Sequence, residues 1–573
     1  MSLPSRVGDA VFQVKVSLLQ LRRAAQNAVS PLPRFSPAPD TSAFPFPLAE
    51  VRMPLWTDGD AAERWLQRGK VQNLRIAARS LHNLVLGADE VFSFWRHTGR
   101  TTRKRGYAEG RELREGCLIP SVGGGICQLS NALYEAALRA EFSIVERHAH
   151  SQIIAGSAAQ AGRDATVFWN YRDLRFSPNQ AVLLSVRLTA EELIVSFRAE
   201  NQSKAVPETR LTSKPGRYRL PLLVPAEHSC GTCDADGCFR HRTGQEETEG
   251  ITAFLVDAYS PEMASYLEAR RTAADHLLLP IDGAKWRMAR YAWKTDGFAR
   301  VSEARCETLI RSVAARRKLP LPALRALHLH GEEQLATSFA RQLSHDATHL
   351  VIALPLLPYL WRDGHLGGRR FTVLLTRHPL GLLHSLLDEA TARNPDQAQL
   401  RDFRAPASLV EWESEALLNA EAVVTPHRNL LEHFGVRVVP VPWAAPQVIP
   451  LWTRGTDIAF AGPTAARKGA YAVREAARRL GRSVVLRGLQ LEGADFWEGI
   501  SYRPATSLTD WLSGICAVVQ PAVVEEAPRA LLAALAAGVP VIASEACGLG
   551  RHPLLYTVPP NDPDALVEAL SRL

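Results

Sequence analysis

Two periodicities of apolar side chains alternate along residues 49–225. Apolar residues recur at helical spacing over residues 61–86, and strand-like runs follow over residues 181–189 and 192–200. This mixture predicts an α+β domain over residues 49–225. Residues 1–48 precede it, and they combine a predicted amphipathic helix with a Pro-rich run that predicts an extended linker or arm rather than a packed element.

The second half of the chain alternates strand-like apolar runs with helical segments. The runs ITAFLVD, HLVIALP, RFTVLLT, AVVTP and VRVVPVP lie within residues 251–445, and DIAFAG, SVVLRG, AVVQP and VPVIAS lie within residues 446–573. Such alternation is typical of parallel sheets with crossover helices, so we expect two Rossmann-like domains. The polar residues 226–250 form the boundary, and the fold class of the whole chain is α/β.

Charge and hydrophobicity along the chain limit the kinds of binding partner and the cellular compartment that we expect for this protein. The 573 residues carry a formal net charge of +8 without a block of like charges, so nucleic-acid binding has no motif support. We find neither about 18 consecutive apolar residues nor a secretory apolar core, and we therefore expect a cytoplasmic protein. The basic N-terminal helix packs on the protein's own core in the favoured interpretation. Peripheral association with the inner face of the membrane is the alternative.

A cysteine follows a turn of three glycines in SVGGGICQLSNALYEAALRA. Helical spacing begins directly after it, which places Cys127 at a helix N-terminus where the helix dipole favours a thiolate. The N–H groups of Gly124 and Gly125 are candidates to face a developing oxyanion. The alternative is a buried structural cysteine.

The segment FSIVERHAHS alternates like a strand and places Glu146, His148 and His150 on one face. Either histidine is a candidate base for Cys127, oriented by Glu146 or Asp164. The alternative is a pair of surface histidines without a catalytic role.

Residues 228–241 contain three cysteines and two histidines. Their spacing predicts a tetrahedral zinc site, with an iron–sulfur cluster as the second choice and free thiols or a redox pair as the third. The candidate ligands are Cys230, Cys233, Cys238, His241 and His228.

A basic loop at the end of the run DIAFAG predicts a diphosphate site. Gly462 ends the predicted strand, and Arg467 and Lys468 follow before a helix. The carboxyl end of a parallel strand followed by a helix N-terminus is where phosphates bind in such folds. A solvated basic loop is the alternative.

Residues 70–185 resemble the VanW family of bacterial proteins. The resemblance is carried by Phe92 to Phe94, Gly106-Tyr107, Gly123 to Gln128, Leu133-Tyr134, Glu146-Arg147, His150-Ser151 and Asp164 to Val167. It implies a cysteine-dependent reaction of the L,D-transpeptidase type, with Cys127 as nucleophile and His150 as base. Leu129 to Asn131 depart from the family's usual Ser-Thr. Transpeptidation outside the cytoplasm also conflicts with the expected compartment, so a cytoplasmic precursor or another acyl donor is the implied substrate.

Residues 455–573 resemble the GT-B glycosyltransferases of the GT4 type, and residues 251–445 share only their architecture. Gly462, Lys468-Gly469, Glu525 and Gly538 match the family pattern, and Glu526 adjoins the acidic position. The resemblance implies a nucleotide-sugar donor. The second acid of the family's motif, which holds the ribose, is Ala533 here. The candidate catalytic histidines of the first domain are His328, His330, His345, His349 and His365.

Together these features predict a bifunctional protein of cell-envelope biogenesis. One part transfers a sugar to an unidentified glycan or peptidoglycan-precursor acceptor, and the other acts through Cys127. The alternative, suggested by Ala533, is a non-catalytic scaffold whose degenerate glycosyltransferase fold binds a glycan or a nucleotide.

Overall fold

The computed structural model separates the chain into two compact units. It describes residues 6–38, 40–56, 63–114, 117–149, 162–201, 250–314, 321–493, 495–505 and 511–573. The N-terminal unit comprises residues 1–251 with the short segments 344–348 and 363–370, and the remaining residues form the C-terminal unit.

The N-terminal unit is an α+β structure with antiparallel sheets. Its helices are α1 (Arg6–Val29), α2 (Arg64–Leu81), α3 (Phe94–Thr98) and α4 (Cys127–Arg139). Its strands are β1 (Phe46–Pro54), β2 (Leu84–Leu86), β3 (Phe92–Ser93), β4 (Glu109–Arg114), β5 (Cys117–Val122), β6 (Ser143–Glu146), β7 (Arg175–Ser177), β8 (Val182–Leu188) and β9 (Glu192–Ala199). The strands form three sheets, in the orders β1-β9-β8-β2, β3-β7-β6 and β4-β5.

One apolar core connects helices α2 and α4 with these sheets. It includes Leu74, Leu133, Phe176 and Phe197, whose side chains are fully buried. Every second side chain of β9 is buried in this core, whereas the first five residues of β8 are all buried.

The Pro-rich arm is extended, as its composition predicts, and it is also held against the N-terminal unit. The N–H of Ala38 donates to the carbonyl of Asn83 at 2.8 Å. The ring of Phe35 stacks on that of His97 with centroids 5.3 Å apart. The arm is therefore packed on the unit, contrary to the expectation of an unpacked linker.

The first domain of the C-terminal unit contains a seven-stranded sheet. Its strands are β10 (Ile251–Leu255), β11 (His276–Leu279), β12 (Arg300–Glu303), β13 (Ala347–Ala353), β14 (Arg370–Leu374), β15 (Ala422–Thr425) and β16 (Arg437–Pro440). Its helices are α5 (Pro261–Glu268), α6 (Arg305–Ala314), α7 (Leu321–Gln342), α8 (Leu357–Arg362), α9 (Leu380–Arg393) and α10 (Ala407–Leu418). The strand order is β12-β11-β10-β13-β14-β15-β16.

The second domain contains a six-stranded parallel sheet. Its strands are β17 (Thr453–Phe460), β18 (Val484–Leu486), β19 (Tyr502–Pro504), β20 (Ser513–Gln520), β21 (Val541–Ala543) and β22 (Leu555–Thr557). Its helices are α11 (Ala470–Leu480), α12 (Arg529–Ala536) and α13 (Pro563–Ser571). The order β19-β18-β17-β20-β21-β22 is the doubly wound order, which reverses between β17 and β20. Both domains are Rossmann-like, so the predicted fold class is confirmed.

Helix α1 is the longest helix described, with 24 residues. Within the described ranges, no helix is both long and apolar enough to cross a bilayer.

Candidate functional sites

Cys127 begins helix α4, as the sequence predicts, directly after the turn of three glycines. The turn is closely packed, because a Cβ at Gly124 would lie 2.4 Å from the carbonyl oxygen of Gly110. The N–H of Gly124 donates to the carbonyl of Ser121 at 2.9 Å. This N–H therefore holds the turn, and the prediction that it faces an oxyanion is wrong. Gly125 has a φ of +86°, which only glycine adopts readily.

The half-buried thiol of Cys127 lies against the segment that precedes β7. Its Sγ is 3.8 Å from the Oγ1 of Thr166 and 3.8 Å from the carbonyl oxygen of Val167. The N–H of Thr166 in turn donates to the carbonyl of His148 at 2.8 Å. The chain that carries His148 thus runs beside the chain that contacts the thiol.

Glu146 and His148 form a pair, although the predicted strand ends earlier than expected. Strand β6 stops at Glu146, where the pairing with β7 shifts register, so the alternation does not continue through His148. The Nε2 of His148 lies 3.0 Å from the Oε1 of Glu146. The same carboxylate binds Arg23 of α1, and this ion pair, together with the His148 contact, outweighs burial and lowers the pKa of Glu146.

Asp164 is buried and accepts a hydrogen bond from Arg147 at 2.7 Å. His150, the predicted base, lies outside the described residues. The predicted metal ligands Cys230, Cys233, Cys238, His241 and His228 lie outside them too, so the zinc and iron–sulfur interpretations stay predictions. The part of the chain that is described contains no group of three metal-ligating side chains.

The basic loop of the second domain lies at the carboxyl ends of β17 and β20, where the strand order reverses. The Nζ of Lys468 donates to the Oε2 of Glu525 at 3.1 Å and to the carbonyl of Val524 at 2.9 Å. Burial alone would raise the pKa of Glu525, but Lys468 and the N–H of Ala527 hold it below its usual value. A fixed cation thus lies at the site where such sheets bind phosphates.

Gly462 and Arg467 belong to the same group. A Cβ on Gly462 would lie 3.1 Å from the side-chain nitrogen of Gln520, so the backbone approaches β20 closely. The guanidinium of Arg467 stacks 4.6 Å from the ring centroid of Phe403, which the first domain contributes.

Glu526 also joins this group, whereas Gly538 does not. The carbonyl of Glu526 lies 3.1 Å from the Nε2 of His427. Gly538 ends helix α12 with a φ of +79° and directly precedes β21. It therefore lies at the amino ends of the parallel strands, whereas Lys468 lies at their carboxyl ends. The role of Gly538 is to end the helix, so the structure does not support it as a donor-binding residue.

Two buried histidines that the sequence analysis did not identify complete the site from the first domain. His378 follows β14 and His427 follows β15, and their ring centroids are 5.1 Å apart. Burial lowers the pKa of His378 to about 3, so its ring is neutral near pH 7. Neither of its nitrogens has a hydrogen-bond partner among the described residues, which is rare for buried polar groups.

A buried charged cluster lies beside these histidines. Arg377 donates to Glu413 at 2.5 Å, and both side chains are almost fully buried. Arg325 and Glu332 come from helix α7, and each has a buried polar atom without a partner in the described ranges. Burial raises the pKa of Glu332 to about 7, despite the opposing charges of Arg377 and Arg325.

The five histidines proposed from the sequence are exposed or half-buried, unlike His378 and His427. They are His328, His330, His345, His349 and His365. His378 was detectable in the sequence as a polar residue two positions after the strand-like run RFTVLLT.

Two family models match separate parts of the chain. Residues 69–198 match the model described as VanW like protein, and residues 458–573 match the model described as Glycosyl transferases group 1. The chain thus contains a VanW-like region and a second region that is similar to the group 1 glycosyltransferases.

Two curated proteins are similar to part of the chain. The chain is 33% identical over 162 residues to the uncharacterized protein YoaR of Bacillus subtilis, and 30% identical over 170 residues to the vancomycin B-type resistance protein VanW of Enterococcus faecalis. Each match covers 28% of this chain, and the chain spans 50% of YoaR and 61% of VanW.

Solved glycosyltransferases are similar to the C-terminal unit at low identity. WaaG, a glycosyltransferase involved in lipopolysaccharide biosynthesis, is 13% identical with a TM-score of 0.34, and the match covers 56% of this chain and 90% of WaaG. UGT89C1 of Arabidopsis thaliana, solved with UDP-L-rhamnose, is 10% identical with a TM-score of 0.32, at 56% and 90% coverage.

Proposed function

We propose that this chain is a glycosyltransferase of cell-envelope biogenesis that uses a nucleotide-sugar donor. The observation that carries the proposal is the pair of Lys468 and Glu525 at the carboxyl ends of β17 and β20. In doubly wound sheets the ligand lies at this reversal point. Lys468 supplies a cation for the donor diphosphate, with Arg467 beside it as a second phosphate contact.

The first domain contributes the proposed reacting site. The neutral ring of His378 has two nitrogens without a hydrogen-bond partner among the described residues. One nitrogen can donate to a sugar hydroxyl and the other can accept from one, and the ring itself carries no charge. Arg377 and Glu413 support the backbone here, since Arg377 also donates to the carbonyl of His378 at 3.0 Å. We propose that His378 contacts the transferred sugar or the acceptor.

A donor screen tests this proposal. Thermal unfolding is followed with a panel of nucleotide sugars, and release of the nucleoside diphosphate is measured in parallel. We expect the Tm of the wild type to rise with one donor, and the K468A variant to lose that response. H378A should keep donor binding and lose turnover, and Lys285→Ala, which changes an exposed lysine, should behave as wild type.

The binding-scaffold alternative rests on Ala533, which lies half-buried on α12 at the position of the family's second acid. Saturable donor binding by the wild type without any release of nucleoside diphosphate, with and without glycan acceptors, favours the scaffold. No response of the wild type to any donor would contradict both the transferase and a nucleotide-binding scaffold, and it would leave only a scaffold that binds a glycan.

For the VanW-like region we propose a cysteine-dependent acyl transfer with Cys127 as the nucleophile and a peptidoglycan precursor as the substrate class. The start of α4 supports this, because a helix N-terminus favours the thiolate. Alkylation of Cys127 by iodoacetamide, followed by mass spectrometry across pH 5.5–9.5, tests it. Cys127 is expected to react at lower pH than exposed Cys306, which is the internal control. A Cys127 that reacts only above the pH at which Cys306 reacts contradicts the proposal.

We also propose that the protein is cytoplasmic and associates with the inner face of the membrane through α1. Gln20, Arg23 and Asn27 bind the N-terminal unit through hydrogen bonds. Val14, Leu18 and Leu21 recur at helical spacing and are exposed by 61%, 63% and 68% of their surface. These apolar side chains lie on the side of the helix opposite the docked polar residues, as in helices that lie in a membrane interface.

Vesicle flotation tests this association. Wild type should float with vesicles that contain phosphatidylglycerol, and Leu18→Ser combined with Leu21→Ser should abolish flotation. Leu309→Ser is the control, because Leu309 is an exposed leucine on another helix. Equal flotation of all three proteins would rule out α1 as the anchor.

A further inference from the structure

A basic cleft in the N-terminal unit has no role in the proposed glycosyl transfer or acyl transfer. Its volume is about 410 Å³, and it lies between α1, the Pro-rich arm, α3 and the chain that leads into β7. We propose that this cleft binds a phosphate-bearing ligand. The proposal rests on the charge balance of the lining, on the fixed backbone that carries Arg34 and Arg96, and on the aromatic wall of the cleft.

The lining has a large excess of positive charge. Five guanidinium groups face one carboxylate, that of Asp173. The five arginines are Arg23, Arg34, Arg96, Arg105 and Arg175. Positive charges that line a concave surface reinforce one another, because the low-dielectric walls focus their field into the cleft. An anion is therefore the class of ligand that this lining attracts.

The one carboxylate of the lining is fully engaged and cannot neutralise the excess. Asp173 accepts from the Oγ of Ser93 at 2.6 Å, from the N–H of Trp95 at 3.2 Å and from the Nε of Arg175 at 2.9 Å. Arg23, in the C-terminal half of α1, forms an ion pair with Glu146. Two of the five arginines are thus neutralised, which leaves Arg34, Arg96 and Arg105.

These three arginines form no ion pair within the described part of the chain. The Nη1 of Arg105 donates to the carbonyl of Arg100 at 2.8 Å, which is a contact with a neutral group. Arg34, Arg96 and Arg105 are exposed at the edge of the cleft, where a ligand can reach them.

The arm that carries Arg34 is fixed by the residues next to it. The N–H of Phe35 donates to the Nε2 of His97 at 2.9 Å, and the Nδ1 of His97 lies 3.0 Å from the carbonyl of Ser93. The His97 ring stacks between Phe35 and Phe92, with centroid distances of 5.3 and 5.1 Å. Because both nitrogens of His97 are used in this way, the ring is neutral and acts as a joint between the arm and α3.

The same joint positions Arg96, which immediately precedes His97 in α3. Its N–H donates to the Oγ of Ser93 at 3.2 Å and caps the helix. The backbones on both sides of the cleft are therefore set before a ligand binds, so little backbone entropy is lost on binding.

Phosphate fits this arrangement better than a single carboxylate. Three uncompensated guanidinium groups match the two to three negative charges of a phosphate monoester or a diphosphate, and guanidinium forks bind phosphate oxygens in pairs. The indole rings of Trp95 and Trp169 form an edge-to-face pair 5.5 Å apart in the wall. They provide an apolar surface for the organic part of a phosphate ester.

Calorimetric titration of the full chain with inorganic pyrophosphate tests the proposal. The titration uses the K468A background, so that the proposed donor site does not contribute. The Arg34→Gln, Arg96→Gln double variant removes two of the uncompensated charges, and we expect pyrophosphate binding to weaken about tenfold or more. The matched control is the Arg300→Gln, Arg551→Gln double variant, which removes two exposed arginines of the C-terminal unit and should bind as the background does.

A second arm distinguishes a soluble phosphate ester from a lipid headgroup. Vesicles of phosphatidylcholine with or without phosphatidic acid are added to the same proteins. Binding of phosphatidic acid vesicles that is lost in the cleft variant but kept in the control supports the site with a lipid-borne phosphate. If the cleft variant and the control bind both probes equally, or if neither probe binds the background protein, the proposal is overturned.

The single Arg105→Gln variant guards against misfolding of the double variant. It alters the third uncompensated arginine without touching the arm or α3, and we expect pyrophosphate affinity to fall severalfold. The Tm of each variant without ligand is measured alongside. Unchanged affinity in Arg105→Gln, together with a lowered Tm in the double variant, counts against the proposal.

Discussion

The guanidinium of Arg529 donates two hydrogen bonds to the carboxylate of Glu262, and one of them measures 2.6 Å. Arg529 begins α12 of the second Rossmann-like domain, and Glu262 lies on α5 of the first. Glu262 also accepts from the N–H of Ala444 at 2.8 Å. Burial would raise the pKa of Glu262, but these donors lower it to about 2. The ion pair thus connects the two domains at the side of the proposed donor site.

Replacing Arg529 with glutamine should destabilise the C-terminal unit by roughly 1–3 kcal/mol, because the side chain of Glu262 is fully buried and loses its cation. The measurement is urea unfolding at pH 7. Arg479→Gln, which breaks an ion pair with exposed Asp564, is the control and should change stability by less than about 0.5 kcal/mol.

The effect of Arg529→Gln should also depend on pH. The pKa of Glu262 is lower in the folded protein, at about 2, than its ordinary 4.5. The contribution of the Arg529–Glu262 ion pair to folding stability is therefore complete above about pH 4.5, and it disappears as the pH falls towards 2. Unfolding curves of wild type and variant should converge over that interval. A difference that is constant between pH 7 and pH 3 would show that the pair is not the cause.

Two glycines at the ends of α11 offer a matched test of whether the loop that carries Lys468 must keep its conformation to bind the donor. Gly469 precedes the helix with a φ of +82°, and a Cβ there would lie 2.3 Å from the carbonyl oxygen of Pro521. Gly481 ends the same helix with a φ of +62°, but a Cβ there meets nothing within 4 Å. Gly469→Ala should therefore move the loop that carries Lys468, whereas Gly481→Ala should only strain its own backbone.

We expect Gly481→Ala to cost about 1 kcal/mol and Gly469→Ala roughly 2–4 kcal/mol, since backbone strain and a clash with main chain add together. Donor-dependent stabilisation should vanish in Gly469→Ala and persist in Gly481→Ala. Both quantities come from thermal unfolding with and without the nucleotide sugar. If the two variants retain the same donor response, the loop geometry does not govern binding.

The strands of both Rossmann-like domains were predictable where they are long and apolar. The runs DIAFAG and AVVQP correspond to β17 and β20, which lie at the centre of their sheet. Strand β19 was missed because its three residues are all exposed at the sheet edge. Strand β11 was missed because HLLL is too short to display a period.

The candidate site was predictable only as far as it is local in sequence. Lys468 followed from the strand end that precedes it, and Glu525 followed from the resemblance of its segment to the GT4-type glycosyltransferases. His378 and His427 follow two strands of the other sheet. The periodicity of apolar residues predicts the strands, but it does not predict which polar residues from two different sheets lie close together. The ion pair of Glu146 with Arg23 joins residues 123 positions apart, so the local sequence pattern could not predict it either.

The buried carboxyl of Glu332 should make stability depend on pH near neutrality. Its pKa is about 7 in the folded protein and 4.5 ordinarily, so it favours folding fully below pH 4.5 and loses this contribution as the pH rises to about 7. Glutamine has the same shape and does not ionise. Glu332→Gln should thus be more stable than wild type at pH 8 by roughly 1–3 kcal/mol and similar to it at pH 4.5.

Chemical unfolding of both proteins across pH 4.5–8 measures this difference. Glu333→Gln is the control, because the neighbouring Glu333 is only partly buried and pairs with Arg362. A stability gap between wild type and Glu332→Gln that does not widen with pH would mean that Glu332 stays ionised in the folded protein.

Ala533 lies one helical turn after Arg529 on α12, at the position where the glycosyltransferases that this domain resembles carry their second acid. Its side chain is half-buried and small, so the site can accept a longer side chain at the exposed edge of the helix. Ala533→Glu should supply a hydrogen-bond acceptor for the donor ribose. A hydrogen bond to a charged group contributes about 1.5–3 kcal/mol, which corresponds to roughly ten- to a hundredfold tighter donor binding.

Isothermal titration with the best donor from the screen measures the gain, and Ala533→Gln separates charge from size. We expect the order of affinity Ala533→Glu, then Ala533→Gln, then wild type. A nucleoside diphosphate whose 2′ and 3′ hydroxyls are removed should bind all three proteins equally, because the added acid then has no partner. If Ala533→Glu weakens binding of the complete donor, the ribose lies elsewhere, and the carry-over of the family's ribose-binding position to this chain is wrong.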